Sequence, residues 1–149
     1  MRPPFQYQHR VRLHETDGAG ILFYGQIFTL AHNAYEEMLA AAGISLRQIL
    51  EEQIFAIPLA HAAADYLQPI ELEEPLTLSV TVEQIVSRSF ILKTSVEGVT
   101  TDGEGHDETQ LKAEVTTVHI TTSLPEGEAI PLPAPIQAAL SGKSSPKKR

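Results

Sequence analysis

Only one segment of this chain has the spacing of apolar residues that is typical of a long helix. This restricts the folds that the chain can adopt. Gly43 is placed to end that helix at its C′ position, after about 18 residues or ~27 Å. Ser45 and Gln48 have the spacing of a capping box, which predicts a short second helix to about Glu52. The apolar residues of the long helix recur at steps of three and four, the spacing of one helix face: Ile27, Leu30, Ala31, Ala34, Met38, Ala41 and Ala42.

Strand patterns lie on both sides of the long helix. Apolar and polar residues alternate from Tyr7 to Leu13, which predicts a first strand with one buried side. A polar hairpin loop is predicted at residues 100–107. The order β-α-β-β-β-β, with an extra short helix, predicts an α+β fold in which a curved antiparallel sheet wraps the helix. The four later strand patterns are Ile54–Leu67, Leu76–Val86, Phe90–Val99 and Leu111–Thr122.

The strand patterns stop before residue 125. Pro125, Pro131, Pro133 and Pro135 follow and cannot donate to a further ladder. Residues 142–149 are polar and basic, a composition typical of disorder. We therefore expect one domain at residues 1–124, followed by a Pro-rich and basic extension at residues 125–149 that is largely irregular or disordered.

Composition narrows the range of functions. The chain has 149 residues and a formal charge of −8, but residues 1–140 hold seven basic and 19 acidic groups, or −12. An acidic domain of this kind lacks the basic face that nucleic-acid binding needs. The absence of cysteine excludes disulfides, thiolate zinc sites and a cysteine nucleophile. No apolar run reaches the ~18 residues of a membrane span, and no apolar signal core opens the chain, so a cytoplasmic protein is expected.

A glycine-rich turn carries a carboxylate just ahead of the long helix. Asp17 ends a strand-like segment, and Gly18 and Gly20 relax the backbone at the turn. The helix that follows begins with unpaired N–H groups and a partial positive charge. A carbonyl oxygen held there would bring its carbon within reach of Asp17. The alternative is that Asp17 caps the helix, since aspartate is a preferred N-cap residue.

Three motifs resemble those of one known family, the hotdog-fold thioesterases of the 4-hydroxybenzoyl-CoA thioesterase type. The segment from Asp17 through Gly20 to Phe23, with Tyr24 directly after it, resembles the family's D-x-x-G-x-x-Y/F signature at a helix start. Residues 65–69 resemble its strand-end Y-x-x-P element, and residues 87–90 its R-S-F element, so the likeness covers about residues 5–123. The resemblance implies a hotdog fold and a homo-oligomer, at least a dimer with continuous sheets and further a tetramer of two dimers. It also implies that Asp17 is catalytic, as a nucleophile or as a general base.

The same resemblance assigns roles around the helix start. The backbone N–H groups of Tyr24 and Gly25 are expected to bind the thioester oxygen as oxyanion donors, while the Tyr24 ring could simply pack against the sheet. Apolar residues near the turn could form an acyl pocket for an aromatic ring or an alkyl chain. The residues expected to contact the acyl group are Gly20, Phe23, Ile27 and His61.

Coenzyme A is the acyl carrier that the resemblance implies, as part of the substrate and not as a cofactor. Arg88 is the candidate to bind its phosphates, with Ser89 in the same R-S-F element and Lys93 as a weaker candidate. The alternative is that these are solvent-exposed charges on neighbouring strands. The chain also offers fewer arginines than the family's aromatic-acyl members usually place around the coenzyme.

Other catalytic designs find no support in the sequence. The six histidines form no H-E-x-x-H pair, so no metal site is expected. The chain contains no G-x-S-x-G elbow, phosphate loop or dinucleotide-binding turn, so no cofactor is expected. Hotdog dehydratases use a catalytic histidine, but His32 lies too far along the helix to meet a carbonyl at its start.

Along its whole length the chain is most similar to the cyanobacterial branch of the family, the 1,4-dihydroxy-2-naphthoyl-CoA hydrolases of phylloquinone synthesis. No single pocket residue carries that likeness. A 4-hydroxybenzoyl-CoA thioesterase, a general aliphatic acyl-CoA thioesterase and a non-catalytic acyl-CoA binding module are the alternatives. The presence of Asp17 favours an enzyme over the binding module.

Overall fold

A computed structural model of the chain describes residues 3–142. It contains three helices, α1 (Gln26–Ala41), α2 (Leu46–Glu52) and α3 (Ala134–Leu140), and a 3-10 turn at Leu13–Glu15. No helix among these residues has the length and apolar character needed to cross a membrane. The strands are β1 (Phe5–Arg10), β2 (Phe55–Ala56), β3 (Leu59–Tyr66), β4 (Pro75–Ile85), β5 (Ser89–Thr101), β6 (Asp107–Ile120) and β7 (Thr122–Ser123).

Five strands form one antiparallel sheet in the order β1-β4-β5-β6-β3, and α1 packs on one face of it. Every second residue of β5 points toward the helix, as in Phe90, Leu92 and Val96, because side chains of a strand alternate between faces. Ile27 and Leu30 of α1 are fully buried against this face. This is the hotdog fold, and the predicted fold class is confirmed.

The ends of the helices follow local chemistry. Gly43 adopts a φ of 85° directly after α1, in the left-handed region that glycine occupies at low cost. The Ser45 hydroxyl accepts a hydrogen bond from the Gln48 amide at 3.1 Å and caps α2. The Gln48 side chain does not complete the capping box, since it donates to Glu52 instead. Both predicted helices therefore end where the sequence indicated.

The first strand ends earlier than predicted. It runs only to Arg10, and Leu13, which is 74% exposed, begins the 3-10 turn. The Arg12 amide donates to the Glu15 carboxylate at 2.7 Å, which closes this turn.

The later strands differ from the prediction in two further places. The segment predicted as one strand at Ile54–Leu67 is divided into β2 and β3 around Pro58, whose nitrogen has no hydrogen to donate. The short strand β2 pairs with β7, outside the main sheet. The hairpin between β5 and β6 is tighter than predicted, because Thr101 still pairs with Asp107.

The segment beyond residue 124 contains a helix that the sequence analysis did not predict. Helix α3 begins just after Pro133, and Ile136 and Leu140 are 1% exposed within the main core. The prolines favoured an irregular segment, but proline in the first turn of a helix lacks only a hydrogen that has no partner there. The predicted disorder of residues 143–149 lies outside the described residues.

One histidine is part of the core. His119 of β6 is 4% exposed and contacts two rings, with centroids 4.8 Å from Phe90 and 4.6 Å from Tyr35. Its Nε2 atom is 2.9 Å from the Thr117 hydroxyl. Burial, and then the charge of His32, lower the pKa of His119 to about 4. The ring is therefore neutral in the folded protein at pH 7.

This neutral histidine makes stability depend on pH. The unfolded chain binds a proton at His119 near pH 6.5, whereas the folded chain binds it only near pH 4, so stability falls as pH decreases between these values. We expect the free energy of unfolding to fall by about 2 kcal/mol from pH 7.5 to pH 5 on account of this group. Urea unfolding of the wild type and His119→Phe at both pH values measures the effect.

The His119→Phe variant should lose most of the pH dependence, because it keeps a ring in the stack but cannot bind a proton. The exposed His61→Gln variant is the control and should retain the wild-type dependence. Equal pH dependence in wild type and His119→Phe would contradict the assignment.

Candidate active site

Asp17 closes a tight loop with its own carboxylate. Its Oδ1 atom accepts hydrogen bonds from the Ala19 amide at 2.8 Å and the Ile21 amide at 3.4 Å. Its backbone N–H donates to the Ile21 carbonyl at 2.9 Å, and its carbonyl accepts from Gly20 at 3.2 Å. Gly20 has a φ of 77°, which the loop requires and glycine permits. The N-cap of α1 is Gly25, so the alternative that Asp17 caps the helix is wrong.

A buried glutamate, Glu15, supports this loop. The sequence did not single out this residue. Glu15 is 5% exposed, and its carboxylate accepts from the Arg12 amide at 2.7 Å and lies 2.8 Å from His9 Nε2. The Glu15 carbonyl also accepts from the Phe23 amide at 2.8 Å. These contacts fix both ends of the segment that carries Asp17. The position of Glu15, two residues before Asp17, indicated that it lies near the loop. Only the fold shows that its side chain is buried.

A cavity of about 380 Å³ opens beside Asp17. Asp17, Ile21, Leu22 and Tyr24 form one side. Residues 66–70, which connect the end of β3 to the next loop, form the other side and are called the wall below. The walls are mainly apolar, so the Asp17 carboxylate faces a space suited to an organic group with few polar atoms.

Two backbone donors lie at the start of α1. Within residues 3–142, the amides of Tyr24 and Gly25 donate to no acceptor, whereas the Gln26 amide donates to the Phe23 carbonyl at 2.9 Å. Tyr24 lines the same cavity as Asp17. Free N–H groups at a helix start favour partial negative charge, as on a thioester oxygen.

The wall and the helix start are joined by the Tyr66 side chain. The Tyr66 hydroxyl donates a hydrogen bond to the Tyr24 carbonyl. Burial, and then the neighbouring Tyr24, raise the pKa of Tyr66 above its ordinary value, so its hydroxyl stays protonated and able to donate. In the sequence, Tyr66 stands out only as part of the Y-x-x-P motif.

The structure brings some of the predicted acyl-contact residues near Asp17 but not to the cavity surface. Gly20 belongs to the Asp17 loop, and its carbonyl accepts from Leu72 at 3.1 Å. Phe23 is exposed and its ring packs on Tyr24, with centroids 4.6 Å apart. Ile27 is 0% exposed and belongs to the core, and His61 is exposed on β3. None of these four lines the cavity in this chain.

The predicted coenzyme contacts lie far from Asp17 in the same chain. The wall is bound to the Lys112 carbonyl, whereas Ser89 pairs with Ile120, eight residues further along β6. That separation is about 26 Å at ~3.3 Å per residue. Arg88 is exposed in the turn beside Ser89, and Lys93 lies on the sheet face opposite α1 with its Nζ 3.7 Å from Glu114.

A buried ion pair supports the wall. Lys112 is 6% and Glu74 8% exposed, and Lys112 Nζ lies 3.6 Å from Glu74 Oε2. Lys112 Nζ also donates to the Pro69 carbonyl at 3.3 Å, while the Lys112 carbonyl accepts from the amides of Leu67 and Gln68. A Cβ atom on Gly98 would lie 1.8 Å from Glu74 Oε2, so the pair fits only because residue 98 is glycine.

Comparisons with known proteins give the family of this chain. The model of the thioesterase-like superfamily matches residues 11–140. A 1,4-dihydroxy-2-naphthoyl-CoA hydrolase from Synechocystis is 32% identical over 91% of this chain and 94% of its own length. The corresponding hydrolase of Thermosynechococcus vestitus is 28% identical over 97% of this chain and 92% of its own.

Solved structures show the same fold. The crystal structure of a 1,4-dihydroxy-2-naphthoyl-CoA thioesterase from Synechocystis superposes with a TM-score of 0.83 at 32% identity, over 96% of this chain and 99% of that one. The 4-hydroxybenzoyl-CoA thioesterase of Pseudomonas sp. strain CBS-3 superposes with a TM-score of 0.76 at 20% identity, over 91% of this chain and 99% of that one.

The close fit of Gly98 gives a test of the buried pair. In Gly98→Ala, the new methyl group would displace the Glu74 carboxylate from Lys112, and breaking a buried pair is costly. We expect a loss of about 3–5 kcal/mol in the free energy of unfolding, measured by urea titration. Gly103→Ala is the matched control, because a Cβ there meets nothing within 4 Å, and it should change stability by less than about 0.5 kcal/mol. Equal stability of the two variants would refute the tight fit.

Proposed function

The chain belongs to the thioesterase-like superfamily and is an acyl-CoA thioesterase, and from this premise we propose that Asp17 is the catalytic carboxylate and 1,4-dihydroxy-2-naphthoyl-CoA the substrate. One observation carries the assignment of Asp17. Asp17 and Tyr24 line the same cavity at the start of α1. The Asp17 side chain is exposed, and the Tyr24 amide donates no hydrogen bond within residues 3–142. A thioester carbonyl between them would meet a donor at its oxygen and a carboxylate near its carbon.

The two oxygens of Asp17 have different environments. Oδ1 accepts from the amides of Ala19 and Ile21, while Oδ2 accepts no hydrogen bond within residues 3–142. Oδ2 is therefore the atom that would act on the substrate. The loop bonds hold the carboxylate in one orientation and so favour a reactive geometry before substrate binds.

Two reaction routes use the same atoms. In the first, Oδ2 attacks the thioester carbon, the C–S bond breaks, coenzyme A leaves as a thiolate that takes up a proton, and water hydrolyses the resulting anhydride. In the second, Oδ2 takes a proton from water as the water oxygen attacks the carbon, and the coenzyme A sulfur leaves with a proton. In both routes the amides of Tyr24 and Gly25 bind the negative oxygen of the tetrahedral intermediate.

The proposed acyl group rests on similarity over the whole chain together with the cavity. The Synechocystis relative that acts on the naphthoyl ester matches most of both chains. A cavity of about 380 Å³ lies in the ordinary size range of small-molecule sites. Ile21, Leu22 and Leu67 give it apolar surfaces suited to a flat bicyclic ring. The product would be the free naphthoic acid, and we propose that the enzyme serves phylloquinone synthesis.

A second copy of the chain completes the proposed site. Arg88 lies too far from Asp17 to bind the coenzyme in the same chain, so we assign the phosphate contacts of Arg88, Ser89 and Lys93 to another copy. Tyr24, Tyr66 and Leu67 are 68%, 49% and 49% exposed around the cavity, and β3 is an open sheet edge beside them. Pairing along β3 would cover these apolar groups and the free edge.

Assembly is directly measurable. We expect sedimentation equilibrium to give at least twice the chain mass of 16.3 kDa, and a tetramer where two dimers associate. A monomer at micromolar concentration would contradict a site built from two chains.

The catalytic role is tested by release of free thiol from a panel of coenzyme A esters: 1,4-dihydroxy-2-naphthoyl, 4-hydroxybenzoyl, phenylacetyl, and short and long alkyl. Asp17→Asn keeps the size of the side chain and an oxygen for the loop bonds but removes the charge. We expect its kcat/KM to fall at least ~100-fold with the fold intact by circular dichroism.

Asp102→Asn is the matched control. Asp102 closes the β5–β6 hairpin in the same way, with Oδ1 accepting from the amides of Glu104 and His106 at 2.8 Å. Asp102→Asn should therefore show how an Asp→Asn change affects a loop of this kind. We expect this variant to keep wild-type activity. Full activity of Asp17→Asn would refute the proposed site. A flat profile across the esters would indicate a generalist thioesterase, and no release from any ester would indicate a binding module.

A further inference from the structure

The Tyr66 hydroxyl makes a hydrogen bond that the reaction routes above do not use. Tyr66 is the last residue of β3, and its hydroxyl donates to the Tyr24 carbonyl across 42 positions of sequence. The other donor to that carbonyl is the Ile27 amide, at a long distance of 3.4 Å. Tyr66 therefore provides the closer of the two hydrogen bonds to the first peptide group of the α1 start.

That carbonyl shares a peptide group with one of the two free amides. The Tyr24 carbonyl and the Gly25 N–H belong to one planar unit, and in a trans peptide they point in opposite directions. A hydrogen bond that fixes the carbonyl on one side therefore fixes the direction of the N–H on the other. It also polarises the peptide group, which strengthens the N–H as a donor.

Tyr66 is itself held in place by the sheet. It pairs with Ala113 of β6, and the next two amides, of Leu67 and Gln68, both donate to the Lys112 carbonyl at 2.9 and 3.1 Å. The hydroxyl thus extends from a fixed strand end to the helix start. The hydrogen bond links the sheet directly to the peptide group that begins α1.

We propose that Tyr66 is a positioning residue for thioester hydrolysis, whose hydroxyl orients and polarises the Tyr24–Gly25 peptide so that the Gly25 N–H binds the developing oxyanion. This inference rests on the proposed function. It does not require Tyr66 to touch the substrate. The contribution is made in the transition state, where the oxygen gains charge, and so it acts on kcat more than on KM.

Tyr66→Phe tests the inference, because it removes the hydroxyl and keeps the ring on the wall. Loss of an entire oxyanion donor lowers kcat by about 10²–10³-fold, so weakening one donor should cost about 3- to 10-fold, with KM within about twofold of wild type. Tyr7→Phe is the control. Tyr7 lies on β1, and its hydroxyl makes no hydrogen bond within residues 3–142.

A second measurement does not depend on activity. The amide resonance of Gly25 in the free protein, assigned by ¹H–¹⁵N NMR, should shift upfield in Tyr66→Phe, because the preceding carbonyl loses its hydrogen bond. The same resonance should stay in place in Tyr7→Phe. An unchanged Gly25 resonance in Tyr66→Phe would overturn the inference.

The kinetic outcomes separate this inference from the proposed function. Wild-type kcat in Tyr66→Phe would overturn the positioning role, and so would a raised KM with unchanged kcat, which marks a direct contact with the bound ester. A wild-type protein inactive on every ester would instead contradict the proposed function. The Gly25 resonance would then still decide whether Tyr66 orients this peptide.

Discussion

Burial of one face of α1 against the sheet determines how the other parts of the fold are placed relative to each other. Ile27, Leu30 and Met38 are at most 1% exposed, and each buried side chain of this size contributes about 1.5–3 kcal/mol. The same burial fixes the start of the helix relative to the ends of the strands. The Asp17 loop, the free amides and the wall lie around this start. A shift of α1 along the sheet would separate the carboxylate from the donors.

Apolar packing sets the positions of the Asp17 loop and the wall, and polar contacts then restrict these positions further. Glu15 holds the Asp17 loop from one side, and the Lys112–Glu74 pair holds the wall from the other. Both glutamates are buried, and a buried carboxylate is stable only with partners at fixed places. These groups add less free energy than the core but restrict the geometry more strongly. The cavity lies between two such restrained segments.

Features that depend on neighbours in sequence could be predicted. The period of α1, Gly43 at its end and Ser45 at the start of α2 are local, and the alternation in β4 and β5 shows which face is buried. Features that depend on contacts between distant segments could not. The burial of Glu15, the glycine required at residue 98 and the docking of α3 each need the folded neighbourhood. The approximate location of the candidate site was accessible through the motif at Asp17. Most of the wall was recognisable only as a second motif, at residues 65–69, because its residues face Asp17 only after the sheet has formed.

The Asp17 loop determines when side-chain entropy is lost in the proposed reaction. A free aspartate side chain samples several rotamers, and holding one of them costs free energy. Here Oδ1 accepts hydrogen bonds from two amides of its own loop, so this cost is met when the chain folds and not at the proposed binding of the thioester. The two oxygens of this carboxylate are therefore not equivalent: Oδ1 is part of the loop, and Oδ2 remains for the proposed reaction. A loop of five residues thus gives the two oxygens of a symmetric group different environments.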